Sequence, residues 1–158
     1  MLYLVDGNPL LYRAADRVAP AVPADSAGGY VVRETLTIVG DMLRRYGDGS
    51  VLFVLDGGRG FRKALYPEYK AHRDAEPDPL REKVRVAART FETFMGDLGG
   101  NFVRVPDVEA DDVLSVVAAK SRAFGVETLV VTEDRDLDQT LGPTVRALRL
   151  RDDRVVTA

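Results

Sequence analysis

Ten residues, Val105 to Leu114 (VPDVEADDVL), put three carboxylates, Glu109, Asp111 and Asp112, within four positions at the expected first turn of a helix. Acids there suit the positive end of the helix dipole, which would account for two of them. The third adds like-charge repulsion that a cation among them would relieve. Four more acids stand at comparable places: Asp6 after the apolar run Leu2 to Val5, Asp56 after Val51 to Leu55, and Asp134 and Asp136 after Thr128 to Thr132. Hard oxygen ligands of this kind suit Mg2+ or Mn2+. One or two such ions, about 3.5 to 4 Å apart if paired, generate a hydroxide and stabilise the leaving oxygen of a phosphodiester.

For distant acids to meet, the chain must bring them to one edge. Leu2–Val5 and Val51–Leu55 are apolar at every position, as strands buried on both faces are, and Phe102–Val105 and Thr128–Thr132 are expected to join them. Between them lie helical stretches. Asn8 and Pro9 read as a cap and first-turn pair opening one helix. A second spans Tyr30 to Tyr46, with apolar residues every three or four positions and Gly47 closing it. Pro20 to Gly29 reads as a loop. Asp78 and Pro79 open a third helix, with Leu80, Val84, Ala87, Phe91, Phe94 and Leu98 as its buried stripe, and a fourth runs from beyond Asp107 to Gly125. Thr144–Leu150 and Arg154–Thr157 alternate like a terminal hairpin. Strands alternating with helices predict an α/β fold of three layers, a mostly parallel central sheet with helices on both faces. Right-handed crossovers then set every parallel strand's C-terminal end on one rim, where ligands bind. Seven carboxylates share that rim.

Gly57 to Arg73 (GGRGFRKALYPEYKAHR) interrupts the alternation with five cations, Arg59, Arg62, Lys63, Lys70 and Arg73, against one acid, Glu68. This segment is expected to hold a polyanionic substrate. Lys70 and Arg73 can reach one phosphate if the segment is helical, and Tyr66 and Tyr69 offer faces on which bases stack. Arg59 and Lys63 read as general surface charges, and His72 as a surface residue.

The chain has 158 residues, 46% of them hydrophobic, the size of one well-packed domain. Its net charge of −3 argues against nonspecific polyanion binding over the whole surface, so any such partner must be held locally. No cysteine and one histidine leave neither a disulfide framework, nor a thiolate metal site, nor an imidazole-rich one. The N-terminal apolar run is too short for a signal peptide, and no stretch approaches the roughly 20 apolar residues of a membrane span. The expected setting is cytoplasmic.

LVDGN at the start, VLDGGRGFRKALYPEYKAHR in the middle, VPDVEADDVL and VVTEDRDLDQTL together resemble the 5'-nuclease superfamily, the flap endonucleases and the 5' to 3' exonuclease domain of bacterial DNA polymerase I. The resemblance covers nearly the whole chain in the family's order. It implies a single PIN-like domain over residues 1–158 with a basic arch at about 57–78, and magnesium-dependent hydrolysis of DNA, and of RNA, near a 5' end. Carried residue by residue, it makes Asp6, Asp56, Glu109, Asp111, Asp112, Asp134 and Asp136 the metal ligands, some through water, with Asp111 central to catalysis. Lys70 and Arg73 become phosphate-steering catalytic cations, Arg62 a further substrate contact and Tyr69 a stacking residue. The family continues into a helix-hairpin-helix-like segment that grips duplex DNA and adds acids to the second metal site. This sequence stops before it, so a separate polypeptide carrying that element, self-association or truncation is expected to account for the difference.

Two further readings use the same residues: a PIN-type ribonuclease preferring single-stranded RNA, and a module that binds branched nucleic acid without cutting it. A phosphoacceptor receiver domain would need a lysine after its last strand, where this chain has Arg146.

Overall fold

The computed structural model describes residues 1–18, 22–69 and 78–158. Six strands form one sheet in the order β3-β2-β1-β4-β5-β6. These are β1 (Leu2–Asp6), β2 (Ser50–Leu55), β3 (Phe102–Arg104), β4 (Thr128–Val131), β5 (Val145–Arg149) and β6 (Arg154–Val156). The first five run parallel, and β6 is antiparallel to β5. The expected terminal hairpin is therefore real, but its first strand is also the fifth parallel strand of the main sheet.

The side-chain alternation of the central strands divides the core. Tyr3, Val5, Phe53, Leu55, Leu129 and Val131 point to one face, where they meet helices α1 (Gly7–Arg17), α2 (Ala27–Tyr46) and α4 (Arg81–Asp97). Phe53 and Phe91 pack edge to face there, with ring centroids 4.8 Å apart. Leu4, Val54 and Val130 point to the other face, under α5 (Ala110–Ala123) and Leu137 of the 3-10 turn Arg135–Thr140. Three layers are present, one helical layer being much thinner than the other. Among the described residues no helix is long and apolar enough to cross a membrane.

Several local expectations are corrected. α2 starts at Ala27, inside the stretch expected to be loop; residues 20 and 21 of that stretch lie outside the described residues. Helix α1 opens at Gly7, with Asp6 rather than Asn8 in the capping position. Phe94 and Leu98 are exposed, and Met95 takes the stripe position beside Phe91. The short helix α3 (Gly60–Leu65) and the 3-10 turn carry no clear apolar period, so the sequence predicts neither.

Register sets the rim. Asp6 pairs with Val54 across β1 and β2, while Val5 pairs with Val131 across β1 and β4, so Asp6 sits between the ends of β2 and β4. Strand order reverses at β1, which makes the β1/β4 edge the switch point where an open α/β sheet forms its crevice. Beyond β2, the chain from Gly57 to Gly60 is pressed onto the segment leading into α5. The Gly57 N–H donates to the Val108 carbonyl at 2.9 Å, and the Asp107 N–H donates to the Gly57 carbonyl at 3.0 Å. A Cβ on Gly57 would stand 1.6 Å from the Val105 carbonyl oxygen, so no larger residue fits without moving this clasp. Gly57→Ala is expected to lower unfolding free energy by about 1–3 kcal/mol. Gly29→Ala, whose Cβ meets nothing within 4 Å in helix α2, should be neutral or slightly stabilising. Urea denaturation of both variants checks this, and equal midpoints would contradict it.

Candidate metal centre

Two carboxylates of the rim, buried Asp6 and half-buried Asp56, are held by donors that carry no charge. Asp6, 9% exposed, accepts from the Thr132 hydroxyl at 3.1 Å. The same hydroxyl oxygen accepts the Asp134 N–H at 3.1 Å, and the Thr132 carbonyl accepts from buried Arg149 at 2.7 Å. Arg149 also pairs with Asp138, which ties the 3-10 turn to β5. Asp56 accepts the Ala110 N–H at 2.7 Å on one oxygen and the Asn8 amide at 2.8 Å on the other. It thus sits at the N-terminus of α5, although it belongs to another strand, where an anion is favoured.

Glu109, Asp111 and Asp112 at the start of α5 offer oxygens that all lie within 4.8 Å of one another. Here a protein cation intervenes. The Arg62 guanidinium, on α3, donates to Glu109, to Asp112 at 2.5 Å and to the Tyr69 hydroxyl at 2.6 Å, and lies 3.9 Å from Asp111. The Tyr69 hydroxyl donates in turn to Glu109 at 3.0 Å, and the guanidinium sits 5.4 Å from the Tyr69 ring centroid. Burial works against the Arg62 charge, but Tyr69 and the three acids outweigh it and hold its pKa above the ordinary value.

The Asp6 carboxyl is pushed up to about 7, first by burial, then by the charges of Asp56, Asp134 and Asp111, with the Thr132 hydrogen bond opposing. Burial and Glu109 likewise raise Asp111, against the pull of Arg62. That Asp56, Asp111 and Asp134 all act on Asp6 shows one electrostatic neighbourhood. Asp6, Asp56 and Asp134 form no ion pair among the described residues. An all-oxygen donor set in which burial and neighbouring carboxylates push Asp6 up to about 7 fits a divalent cation.

Five of the seven expected ligands, Asp6, Asp56, Glu109, Asp111 and Asp134, line one cleft of about 380 Å3. Asp112 stands beside it through the contact with Arg62. Asp136 does not line it: this exposed residue donates its backbone N–H to Asp134 at 2.9 Å and so orients that carboxylate. Arg62 and Tyr69, expected to touch substrate, are joined to the acidic triad. Lys70 and Arg73, with His72, lie outside the described residues. Arg59, expected to be a general surface charge, lines the cleft and stands 3.6 Å from Glu109. Asn8, Tyr12 and Thr132 were missed. Asn8 reads in the sequence as a helix cap and Thr132 as the last residue of an expected strand, so neither is marked as part of a site. Tyr12 lines the cleft and donates to Asp78 at 2.5 Å. Burial, then Asp78, lift the Tyr12 phenol to about 12, while the phenol holds Asp78 low. Asp78 also caps α4 through the N–H groups of Leu80 and Arg81.

The family described as "5'-3' exonuclease, N-terminal resolvase-like domain" matches residues 1–158. DNA polymerase I of Pseudomonas aeruginosa is 33% identical over 139 residues, 87% of this chain and 15% of that protein. The 5'-3' exonuclease of Aquifex aeolicus is 24% identical over 99% of this chain and 53% of its own length. The chain therefore spans about half of such exonucleases and a much smaller part of the polymerases. Among solved structures, T5 5'-exonuclease with bound zinc superposes with a TM-score of 0.73 at 20% identity, covering 99% of this chain and 57% of that one. The bacteriophage T5 flap endonuclease in a complex with DNA and metal ions gives 0.74 at 18% identity, with the same coverage. These likenesses establish the PIN-like fold expected from the sequence. With the family matched from end to end, the chain belongs to the 5'-3' exonuclease family, as its N-terminal resolvase-like domain.

Proposed function

We propose that this chain is the catalytic part of a 5'-nuclease that uses Mg2+ or Mn2+ to hydrolyse phosphodiester bonds near the 5' end of DNA, and of RNA. The observation that carries this is the single cleft lined by Asp6, Asp56, Glu109, Asp111 and Asp134, of which Asp6, Asp56 and Asp134 form no ion pair among the described residues. These five would hold one or two ions, with Asp112, and Asp136 through water, completing the set. When bound, such ions supply an activated water and stabilise the leaving oxygen. Asn8 and Thr132 hold Asp56 and Asp6 in place before any ion arrives. Arg62 and Tyr69, with Lys70 and Arg73 of the basic arch, are assigned to the substrate strand, the tyrosine by stacking and the cations by phosphate contact. Residues 1–158 are read as one domain, acting in the cytoplasm. Duplex grip is assigned to a helix-hairpin-helix-like element, in the same polypeptide or a separate one.

Cleavage of a 5'-tailed DNA is expected in Mn2+ and absent in EDTA, and Asp111→Ala should lower kcat by more than about 100-fold. Undiminished cutting by that variant refutes the assignment. A marked preference for single-stranded RNA would move it to a ribonuclease of the same fold.

Arg62 and an incoming cation neutralise the same triad. Arg62→Ala should therefore tighten Mn2+ binding about tenfold, equivalent to ~1.4 kcal/mol, by calorimetry. Equal or weaker binding would show that Arg62 stays in place when the ion is bound.

Asp6 titrates near 7 in the folded protein against 3.8 for an ordinary aspartate. Between those values the folded state keeps a proton that the unfolded chain has lost, so at this site stability falls as pH rises through the window. Asp6→Asn should flatten that fall in metal-free protein and raise Tm by several degrees at about pH 8. Adding Mg2+ at about pH 6 should release protons from the native protein and fewer from the variant. Parallel Tm profiles for the two proteins would contradict the Asp6 assignment.

A further inference from the structure

A second cleft of about 580 Å3 opens directly from the acidic one, sharing Asn8, Tyr12, Asp56 and Arg59 with it. Its character is opposite. Five arginines line it, Arg59, Arg81, Arg85, Arg89 and Arg104, against Asp56 alone among the acids. In a chain of net charge −3 this lining carries more arginines than the acidic cleft or either of the two clefts beside Leu150. Three of the five come from one face of α4, at four-residue spacing. Arg81 to Arg89 covers about 12 Å of helix axis, the length of three to four nucleotides of a B-form strand at about 3.4 Å each. Arg104 comes from the end of β3, where it donates to the Asp56 carbonyl at 2.8 Å and so ties the cationic wall to the acidic rim. Leu55, Val84 and Ala88 supply an apolar floor between the charges.

Besides Arg59, which stands 3.6 Å from Glu109, three of the arginines have carboxylate partners: Arg85 with Glu82, Arg104 with Glu92 at 2.8 Å, and Arg81 with Asp78 at 3.8 Å. These three pairs are exposed, the kind worth about 0–1 kcal/mol, so a phosphate can replace the carboxylate at little cost. Arg89 makes no ion pair within 4 Å among the described residues. The packing of α4 into the core runs through Ala87, Phe91 and Met95 and does not depend on the guanidinium groups.

We infer that the Arg81, Arg85, Arg89 and Arg104 cleft binds the sugar-phosphate backbone of the nucleic-acid strand whose scissile bond enters the acidic cleft. This phosphate track lies along α4 and the end of β3 and adjoins the 57–73 segment at Arg59. It rests on the nuclease reading and adds a path for the strand across α4. Binding here is read from charge alone, so it should be sequence-independent and strongly salt-dependent.

The test measures binding without chemistry. Fluorescence anisotropy of a 5'-tailed DNA oligonucleotide in EDTA, over a salt series, compares the native chain with Arg85→Glu/Arg89→Glu. A control, Arg33→Glu/Arg44→Glu on exposed positions of α2, makes the same change in net charge. The α4 pair should weaken binding at least tenfold near 50 mM salt and reduce the slope of log affinity against log salt by about 1–2. The control should do neither. Arg85→Gln/Arg89→Gln should shift both quantities the same way by a smaller amount, which covers a misfolded charge reversal. Equal losses in the α4 and control variants would overturn the track, as would no loss in either. So would competition by inorganic tripolyphosphate with oligonucleotide binding untouched by the α4 changes, which marks a small-anion site. Because cleavage in Mn2+ is scored separately, a native chain that cuts but is unaffected by the α4 changes refutes only the track. One that neither binds nor cuts refutes the nuclease reading and the track together.

Discussion

The two hydrogen bonds of the Asp56 carboxylate, to the Ala110 N–H and the Asn8 amide, join elements that the sheet topology leaves independent. Parallel pairing brings the ends of β1 and β2 to one edge, but it does not fix how α5 approaches that edge. Asp56 does so by serving as the anion at the N-terminus of α5, and the Gly57 clasp closes the same junction from the backbone side. Glu109, Asp111 and Asp112 are thereby delivered to within reach of Asp6. One carboxylate thus performs a structural task through neutral donors while still facing the cleft, which is how a site of like charges stays assembled before a cation neutralises it.

That division accounts for which parts of the site could be read from sequence. Acids after apolar runs announced themselves, because the residue that follows a fully apolar parallel strand stands at the rim where ligands bind, and Asp6, Asp56 and Asp134 lie where that reading put them. Asp136 was read with Asp134 because spacing on a turn cannot show which of two neighbours looks inward; the 3-10 geometry sends the first to the cleft and uses the backbone of the second to hold it. Asn8 was legible as a polar residue at a helix start, yet capping its own helix and reaching a neighbouring strand need the same residue type at the same position. Thr132 and Arg149 look like ordinary strand residues until register places them against Asp6 and Asp138. Phe94 and Leu98 failed for a different reason: helical phase gives the buried position to Met95, one residue beyond Phe94, and Leu98 stands after the last residue of α4.

Charge followed the same pattern. The cationic segment at 57–73 was conspicuous because its residues are consecutive, whereas the arginine wall of α4 is diluted in sequence by Glu82, Lys83 and the core residues between its members. Folding concentrates it by helical phase, and β3 adds Arg104 from a remote segment. The net charge of −3 therefore averages two neighbouring clefts of opposite sign. A chain with this separation repels a polyanion from its acidic rim unless positive surface lies alongside, and the shared Arg59 and Asp56 place the boundary between them at the strand ends.

The burial of Asp6 sets the condition under which such a rim is useful. A carboxyl lifted to about 7 is destabilising once charged, and an apolar residue at the same register would carry no such penalty. Local stability is sacrificed at one of the least exposed polar positions of the molecule, and Thr132 and Arg149 are arranged so that the carboxylate keeps its orientation in either protonation state. An acid that faces solvent would bind a cation in competition with water and would relax around any that came. An acid short of positive charge suits a compact divalent ion, and the register of β1 against β2 and β4 sets Asp6 at the rim where the other acids converge.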